Sequence, residues 1–420
     1  MSLNHVFTAR SLLLVCGLVA GLFAFSSPSM AVKPSDHPRL QAVYSELVND
    51  GIYAAAELTD ILAQATFQQT VLDAMTSPAE YKLTWGKYRK IFMQEERYQQ
   101  GVDFWLAHVE AFSRAEQQFG VPANMIAAIL GVESKFGRFK GKHKVLDSLV
   151  TLIIGFERRS PFFAAELKEF LLLSKENNLD PTEILGSYAG AVGFPQFISS
   201  SYRRLAIDFN EDGISDLINQ PEDAIGSIAN YFAASGWRPG EPVTSKPHLS
   251  VPSAVAELAN RKRRVQYTAA ELRNLGAPIS SSIAAGEKLG VLNLNANETV
   301  PQSRTSRDYV VRAGDTVCQI AERHKVPCKV LFKLNKLNAR GDIYRGQKLK
   351  LPNSGFKAPF SQEADAAEMP RYFFTHHNFY VITEYNHSVL YAMAVNDLAE
   401  AIQQAYDTRI ENSVSHKGAD

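Results

Sequence analysis

The 420-residue chain is expected to be an α+β protein, mainly α-helical, and three observations carry that expectation. Apolar residues recur at three- and four-residue spacing through most of the stretch from Pro38 to Gly236, the period of amphipathic helices. After Gly236 Pro and Ser become more frequent, and short β-like pieces such as "RRVQYT" and "KLGVLNL" appear. Residues 309–352 then read as a compact strand–helix–helix–strand unit.

At the N-terminus, Arg10 precedes an apolar run from Leu12 to Phe25, followed by "SSPSMAV" with Ser29 and Ala31 at small-residue cleavage positions. The run is shorter than the roughly 20 residues of a membrane span. Residues 1–31 therefore read as a secretory signal cut after Ala31, with an uncleaved anchor as the alternative. Export leaves two cysteines, Cys318 and Cys328, close enough to form one local disulfide in an oxidising compartment. Two small buried thiols are the bland reading of the same pair.

Composition excludes several classes. Lys plus Arg and Asp plus Glu balance at 44 each, so no overall field points to nucleic acid or to an anionic membrane. The one basic run, Arg261 to Arg264, reads as a solvated face. His376-His377 lacks zinc-site spacing and the other histidines are scattered, so no cofactor is expected for catalysis.

The helical region begins with "SELVNDGIYAAAELTDILAQA" and "GVDFWLAHVEAFSRAEQQFG" and continues through "PANMIAAILGVESKFG", "PFFAAELKEFLLLSKENN" and "PEDAIGSIANYFAASGW". A Gly-rich stretch, "GSYAGAVGFPQF", separates the last two. On the third segment Pro122 suits a helix start and Gly137 its end. Ile126, Ile129, Leu130 and Glu133 then fall on one stripe. A carboxyl on an apolar stripe is desolvated, which favours its neutral, proton-donating form. A glutamate at the helix end, rotated into solvent, is the alternative.

The unit "YVVRAGDTVCQIAERHKVPCKVLFKLNKLNARGDIYRGQKLKLP" resembles a LysM domain along its whole length. The match includes "GDT" near its start, Ile320-Ala321 in the first helix, Asn335 and Asn338 at a turn, and the closing "G-x-x-L-x-L-P". The resemblance implies a partner containing N-acetylglucosamine. The polar stretches "NANETVPQSRTSRD" and "NSGFKAPFSQEADAAEMP" bracket it as linkers. The following "NFYVITEYNHSVLYAMAVNDLAEAIQQA" would expose apolar surface if left alone, so the unit reads as inserted rather than appended.

"VPANMIAAILGVESKFGR", "GSYAGAVGFPQFISSSY", "DAIGSIANYF…GW" and "NFYVITEYNHSVLYAMAV" occur in this order and resemble the B-type lytic murein transglycosylases, including an "E-S-x-F-G" signature. That resemblance implies a lysozyme-like core with an added helical domain. It also implies cleavage of the β-1,4 bond between N-acetylmuramic acid and N-acetylglucosamine in peptidoglycan. The domains expected are a catalytic region over 37–300, a LysM domain over 308–353, and a segment over 370–408 that completes the catalytic region.

Most glycosidases use two carboxyls, yet neither Asp147 nor Glu157, which follow Glu133, lies in a context that marks it as a partner. The resemblance implies that Glu133 serves both steps, first as acid and then as base. Ser187, Gln196, Tyr231, Tyr385, Asn386 and Tyr391 are the implied substrate-binding residues, with core packing a rival role for Tyr391. Gly190 and Gly193 would let the backbone approach sugar, or simply make a tight turn.

In "DFNEDGISDLIN", Asp208, Asn210, Asp212, Ile214 through its carbonyl, and Asp216 follow the ligand positions of an EF-hand loop. Asn219 stands where a bidentate Glu is usual, and the resemblance makes Asp223 the substitute ligand, one residue out of register. Structural Ca2+ and an empty Asp/Asn-rich turn both remain open. The expectation is thus a periplasmic monomer that acts on peptidoglycan glycan strands and meets the membrane only if its N-terminal segment stays uncleaved. A hydrolytic muramidase and a non-catalytic wall-binding scaffold are the alternatives.

Overall fold

The computed structural model describes residues 32–76, 83–261, 264–294 and 372–417. It also describes 306–352 apart from 313–314, 325–327, 336, 338–342 and 345. The expected signal at 1–31, most of both linkers, Lys262, Arg263, Gly314, Asn338 and Arg345 lie outside these.

Helices dominate the first two hundred described residues. In order they are α1 (Pro38–Asn49), α2 (Ala55–Ala63), α3 (Gln69–Met75), α4 (Trp85–Phe92), α5 (Glu95–Ala107), α6 (Val109–Phe119) and α7 (Ala123–Ser134). A short strand β1 (His143–Lys144) precedes α8 (Val145–Gly155) and α9 (Ser160–Glu176), and β2 (Leu185–Gly186) pairs with it antiparallel. After a loop come α10 (Ser199–Leu205) and α11 (Pro221–Ala234).

The amphipathic stripes bury themselves in two cores. One joins α4 to α7 with α11 around Phe112, Ile126, Ile129 and Phe232; the other joins α1 to α3 with α8 and α9 around Leu40, Leu47, Phe163 and Phe170. Tyr231 and Tyr385 pack against both cores and so mark the seam between them.

Residues 241–294, of which only short pieces read as β-like in the sequence, form β3 (Thr244–Ser245), α12 (Ser253–Ala256), β4 (Tyr267–Thr268), α13 (Ala269–Asn274) and β5 (Lys288–Asn293). On β5, Leu289 and Val291 face a small core with Leu272 and Phe374, while Leu292 faces the main core. A strand covered on both faces loses the apolar–polar alternation by which strands are recognised.

The LysM-like unit consists of β6 (Ser306–Val310), α14 (Val317–Arg323), α15 (Cys328–Leu334) and β7 (Lys348–Pro352). β6 and β7 pair antiparallel from Ser306↔Pro352 to Val310↔Lys348, so the two ends of the unit lie side by side. Among the described residues its core is small, seven residues centred on Ile320, Leu331 and Leu351. Two clamps supplement it: Cys318 and Cys328 are disulfide-bonded with Cα atoms 4.8 Å apart, and the Asn335 amide bonds to both backbone groups of Lys350.

Beyond it follow β8 (Tyr372–Thr375), α16 (His377–Tyr385) and α17 (Val389–Lys417). β8 lies between β3 and β5, with Val291↔Phe374 and Ser245↔Phe374 in register, giving a four-stranded sheet ordered β3-β8-β5-β4. α17 packs along α7. Chain from before and after the LysM-like unit therefore meets in one sheet and one helix pair. Among the described residues no helix is long and apolar enough to cross a membrane.

Candidate active site

Glu133 lies in the last turn of α7, whose Ile126, Ile129 and Leu130 are fully buried. The helix stops abruptly because Lys135, Phe136 and Gly137 all take positive φ, at 48°, 58° and 82°. Such a run is costly for the two non-glycine residues, and the surrounding structure holds it. Ser134 Oγ accepts from Gly137 N at 3.0 Å, Phe136 N donates to Leu130 O at 3.0 Å, and the Phe136 ring is buried beside Gly131 and Gly101. The "E-S-x-F-G" spacing thus encodes a rigid helix stop that presents Glu133 at the seam.

Three tyrosines gather there. The Tyr391 hydroxyl donates to Glu133 Oε1 at 2.5 Å. Tyr385 stacks parallel to Tyr391, with centroids 6.4 Å apart, and donates to Pro195 O at 2.5 Å. Tyr231 meets Tyr385 at 4.7 Å and donates to Glu384 O at 2.8 Å. Burial, and then the nearby Glu133 carboxylate, pushes Tyr385 and Tyr391 well above the ordinary tyrosine range. Burial pushes Tyr231 up to about 12. All three hydroxyls therefore remain neutral donors at physiological pH.

Tyr391, for which groove lining and core packing were both open, is 2% exposed and bonds to the Glu133 carboxyl. Its helix α17 is pressed against α7, so the ring turns inward. Tyr88 on α4, which the sequence reading passed over, is buried and close enough to Tyr391 to raise its pKa. The only sequence signal for it is the spacing that puts Trp85 and Tyr88 on one buried face.

Tyr391→Phe should lower kcat about tenfold with little change in KM, since a hydrogen bond to a charged group contributes about 1.5–3 kcal/mol. Steady-state kinetics would test this; a kcat equal to wild type would remove Tyr391 from the machinery.

The Gly-rich loop faces this cluster from the second core. Ser187 Oγ accepts from Ala189 N and Ala191 N, at 3.2 and 3.1 Å, which closes the turn and leaves its O–H to donate outward. The Gln196 amide donates to Lys140 O and Gly193 O, at 3.1 and 2.8 Å, leaving Oε1 as an acceptor. Asn386 Oδ1 accepts from Ser388 N at 3.1 Å, so its NH2 group is the one turned to other partners. Gly193, at φ +76, is required by the fold itself: a Cβ there would lie 2.2 Å from Leu217 O.

Asp147, Glu157 and Glu166 each have partners elsewhere. Asp147 accepts from Thr66 N and Thr66 Oγ1 in the other core, and Glu157 is an exposed partner of Arg39. Glu166 accepts from Ser200 N and Ser200 Oγ.

The family model described as the Transglycosylase SLT domain matches residues 35–317, about two thirds of the chain. The chain belongs to the transglycosylase SLT family. A LysM domain model matches residues 309–352 of this family member. The Escherichia coli (strain K12) protein named membrane-bound lytic murein transglycosylase B is 39% identical over 218 residues, which span 50% of this chain and 60% of that relative. Among solved structures, lytic transglycosylase SltB1 from Pseudomonas aeruginosa is 33% identical with a TM-score of 0.65, covering 88% of this chain and 98% of its own. The Escherichia coli lytic transglycosylase Slt35 in complex with calcium is 29% identical with a TM-score of 0.66, covering 91% and 98%.

In this member of the family the EF-hand-like loop is a set of self-closing turns. Asp208 accepts from Asp212 N and Gly213 N, Asn210 Oδ1 accepts from Asp212 N, and Asp212 Oδ1 accepts from Ile214 N. Asp216 caps Ile218 N and Asn219 N. Ionised carboxylates have about four lone-pair sites each, so these hard oxygen donors retain capacity for a cation.

Asp223 differs from the expectation. It is fully buried, and its two oxygens accept from the backbone N–H of Phe209, Asn210 and Asp216 at 2.7, 3.1 and 2.7 Å. Burial raises its pKa, against the opposing pull of those three amides. It braces the loop from beneath.

Among the described residues, one group of three acidic, histidine or cysteine side chains has its ligand atoms within 4.8 Å of one another: Glu241, Glu287 and His376. There His376 Nδ1 meets Glu287 Oε1 at 2.6 Å, His376 Nε2 meets Ser245 Oγ, and Glu241 Oε1 accepts from His377 N at 2.8 Å. These bonds fasten the edge of the sheet to the start of α16.

Proposed function

We propose that the protein is an exported lytic transglycosylase that cleaves the β-1,4 bond between N-acetylmuramic acid and N-acetylglucosamine in peptidoglycan. The observation that carries this reading is one carboxyl, Glu133, held by Tyr391 among neutral tyrosines, while Asp147, Glu157 and Glu166 are engaged elsewhere.

Glu133 gives its proton to the glycosidic oxygen as the C1–O bond breaks. The carboxylate then takes the proton of the C6 hydroxyl on the same muramic sugar, whose oxygen bonds to C1. A 1,6-anhydro ring forms, no water is consumed, and Glu133 ends protonated as it began. An intramolecular nucleophile has a high effective concentration, so one acid suffices. Ser187, Gln196 and Asn386 offer a donor, an acceptor and an amide to sugar hydroxyls, and Tyr231 and Tyr385 offer ring faces to the pyranose. Residues 308–353 act as the LysM glycan-binding domain between the two parts of the catalytic domain, 37–300 and 370–408.

Digestion of purified peptidoglycan, with mass spectrometry of the sugar ends, tests the reading. Anhydro ends are expected; reducing ends would make the protein a muramidase, and undigested material a wall-binding scaffold.

Calcium is proposed as a structural ion held by Asp208, Asn210, Asp212, Asp216 and the Ile214 carbonyl, oxygen donors of the type it prefers. Its chemistry there is charge neutralisation within an acidic loop, with no part in the reaction. Removal by a chelator should lower the melting temperature by about 3–6 °C, restored by Ca2+ and not by Mg2+. A melting curve indifferent to Ca2+ would leave the loop as a hydrogen-bonded turn.

A further inference from the structure

Arg97, on α5, is buried at 6% exposure, and among the described residues no carboxylate bonds to its guanidinium. Its Nη1 donates to the carbonyl of Gly131 at 3.1 Å, and its Cζ lies 5.3 Å from the centre of the Phe92 ring. Burial lowers its pKa from the ordinary arginine value, because desolvation disfavours the charged form. The negative end of a helix and the face of an aromatic ring both offset that penalty. Arg97 has both.

Gly131 O belongs to the last turn of α7, whose final carbonyls lack a donor within the helix. The stop after Ser134 removes the donor that a longer helix would supply, since Lys135 N and Phe136 N both turn to Leu130 O. Arg97 takes that place. The same face of α5 meets the stop again one turn on. A Cβ on Gly101 would lie 2.7 Å from Ile402 Cδ1 and 3.1 Å from Phe136 Cζ, and one on Gly131 would lie 2.8 Å from that same Phe136 atom. The turn that carries Glu133 therefore starts at a glycine, the residue type that, proline apart, holds a helix least firmly.

Given the transglycosylase function proposed above, we infer that Arg97 is a positioning residue for the reaction. Its bond to Gly131 O fixes the last turn of α7, and with it the place from which Glu133 gives and recovers its proton. Gly131 and Glu133 share that turn, so a shift of the carbonyl carries the carboxyl with it. A displacement of about 1 Å can cost about 10^2-fold in rate.

The test is the steady-state release of sugar ends from purified peptidoglycan. Arg97→Met, which loses the donor, should lower kcat about tenfold with KM within about twofold of wild type, a modest part of what misplacement can cost. Arg97→Lys, which keeps a cation able to donate, should recover most of the loss. Leu47→Ala, which loosens the second core instead, should keep the wild-type kcat. If Arg97→Met does not fold, Arg97→Gln is judged by the same two parameters. A wild-type kcat in the folded neutral variant, a rise in KM alone, a loss shared by Leu47→Ala, no recovery with Lys, or failure of both neutral variants to fold would overturn the inference. Reducing ends from wild type would sink the transglycosylase reading and leave this test standing, because the acid would still need its place. A wild type that cleaves nothing sinks both.

Discussion

Glu133→Gln should lower kcat for the release of anhydro ends by about 10^3-fold or more, since general acid and general base catalysis each contribute about 10^2–10^4 and the proposed mechanism gives both to this residue. The fold should be untouched. Gln is nearly as good a helix former as Glu, and its amide oxygen can still accept from the Tyr391 hydroxyl, which donates in the native protein. Glycan affinity should therefore survive while turnover vanishes. Co-sedimentation with insoluble peptidoglycan would report binding, and mass spectrometry of the soluble products would report turnover. A variant that retains even a tenth of wild-type turnover would show that the acid lies elsewhere.

Asp223→Ala should destabilise the catalytic domain by about 3–5 kcal/mol, because removal of a buried charged acceptor leaves backbone donors unsatisfied. Three amides lose their acceptor at once, those of Phe209, Asn210 and Asp216. Asp223→Asn keeps one acceptor oxygen and should lose less. Tryptophan fluorescence in denaturant reads this domain selectively: Trp85, Trp105 and Trp237 all lie in the core that contains Phe209, and residues 309–352 have no tryptophan. A midpoint within about 1 kcal/mol of wild type, the ordinary range for an unremarkable substitution, would make Asp223 dispensable to the loop and return it to the candidate calcium ligands.

The two predictions probe different levels of legibility. Glu133 could be singled out as a candidate without a structure because a charge on a helix stripe of Ile126, Ile129 and Leu130 breaks a local period, and its role was implied by a signature of five consecutive residues. The LysM-like unit was legible for the same reason, its strands, helices and turns lying within 44 consecutive residues. Asp223 was misplaced because its partners are backbone N–H groups, which no sequence pattern displays. Tyr391 was left between groove and core because its direction depends on how α17 lies against α7, and the two residues that bond there are 258 positions apart. Residues 241–294 yielded only short β-like pieces and no apolar–polar alternation because β5 is buried on both faces, one of them by Phe374 from beyond the LysM-like unit.

The sequence by itself therefore determined the helices, the compact module and the family, and it singled out the candidate acid, because each rests on neighbours in the chain. Only the tertiary structure decided what surrounds the acid. Burial and the closing of two helical cores set Tyr231, Tyr385 and Tyr391 around Glu133 and turned Asp147 and Glu157 away from it. Those relations are contacts between distant segments, fixed by packing, and packing is a property of the folded whole.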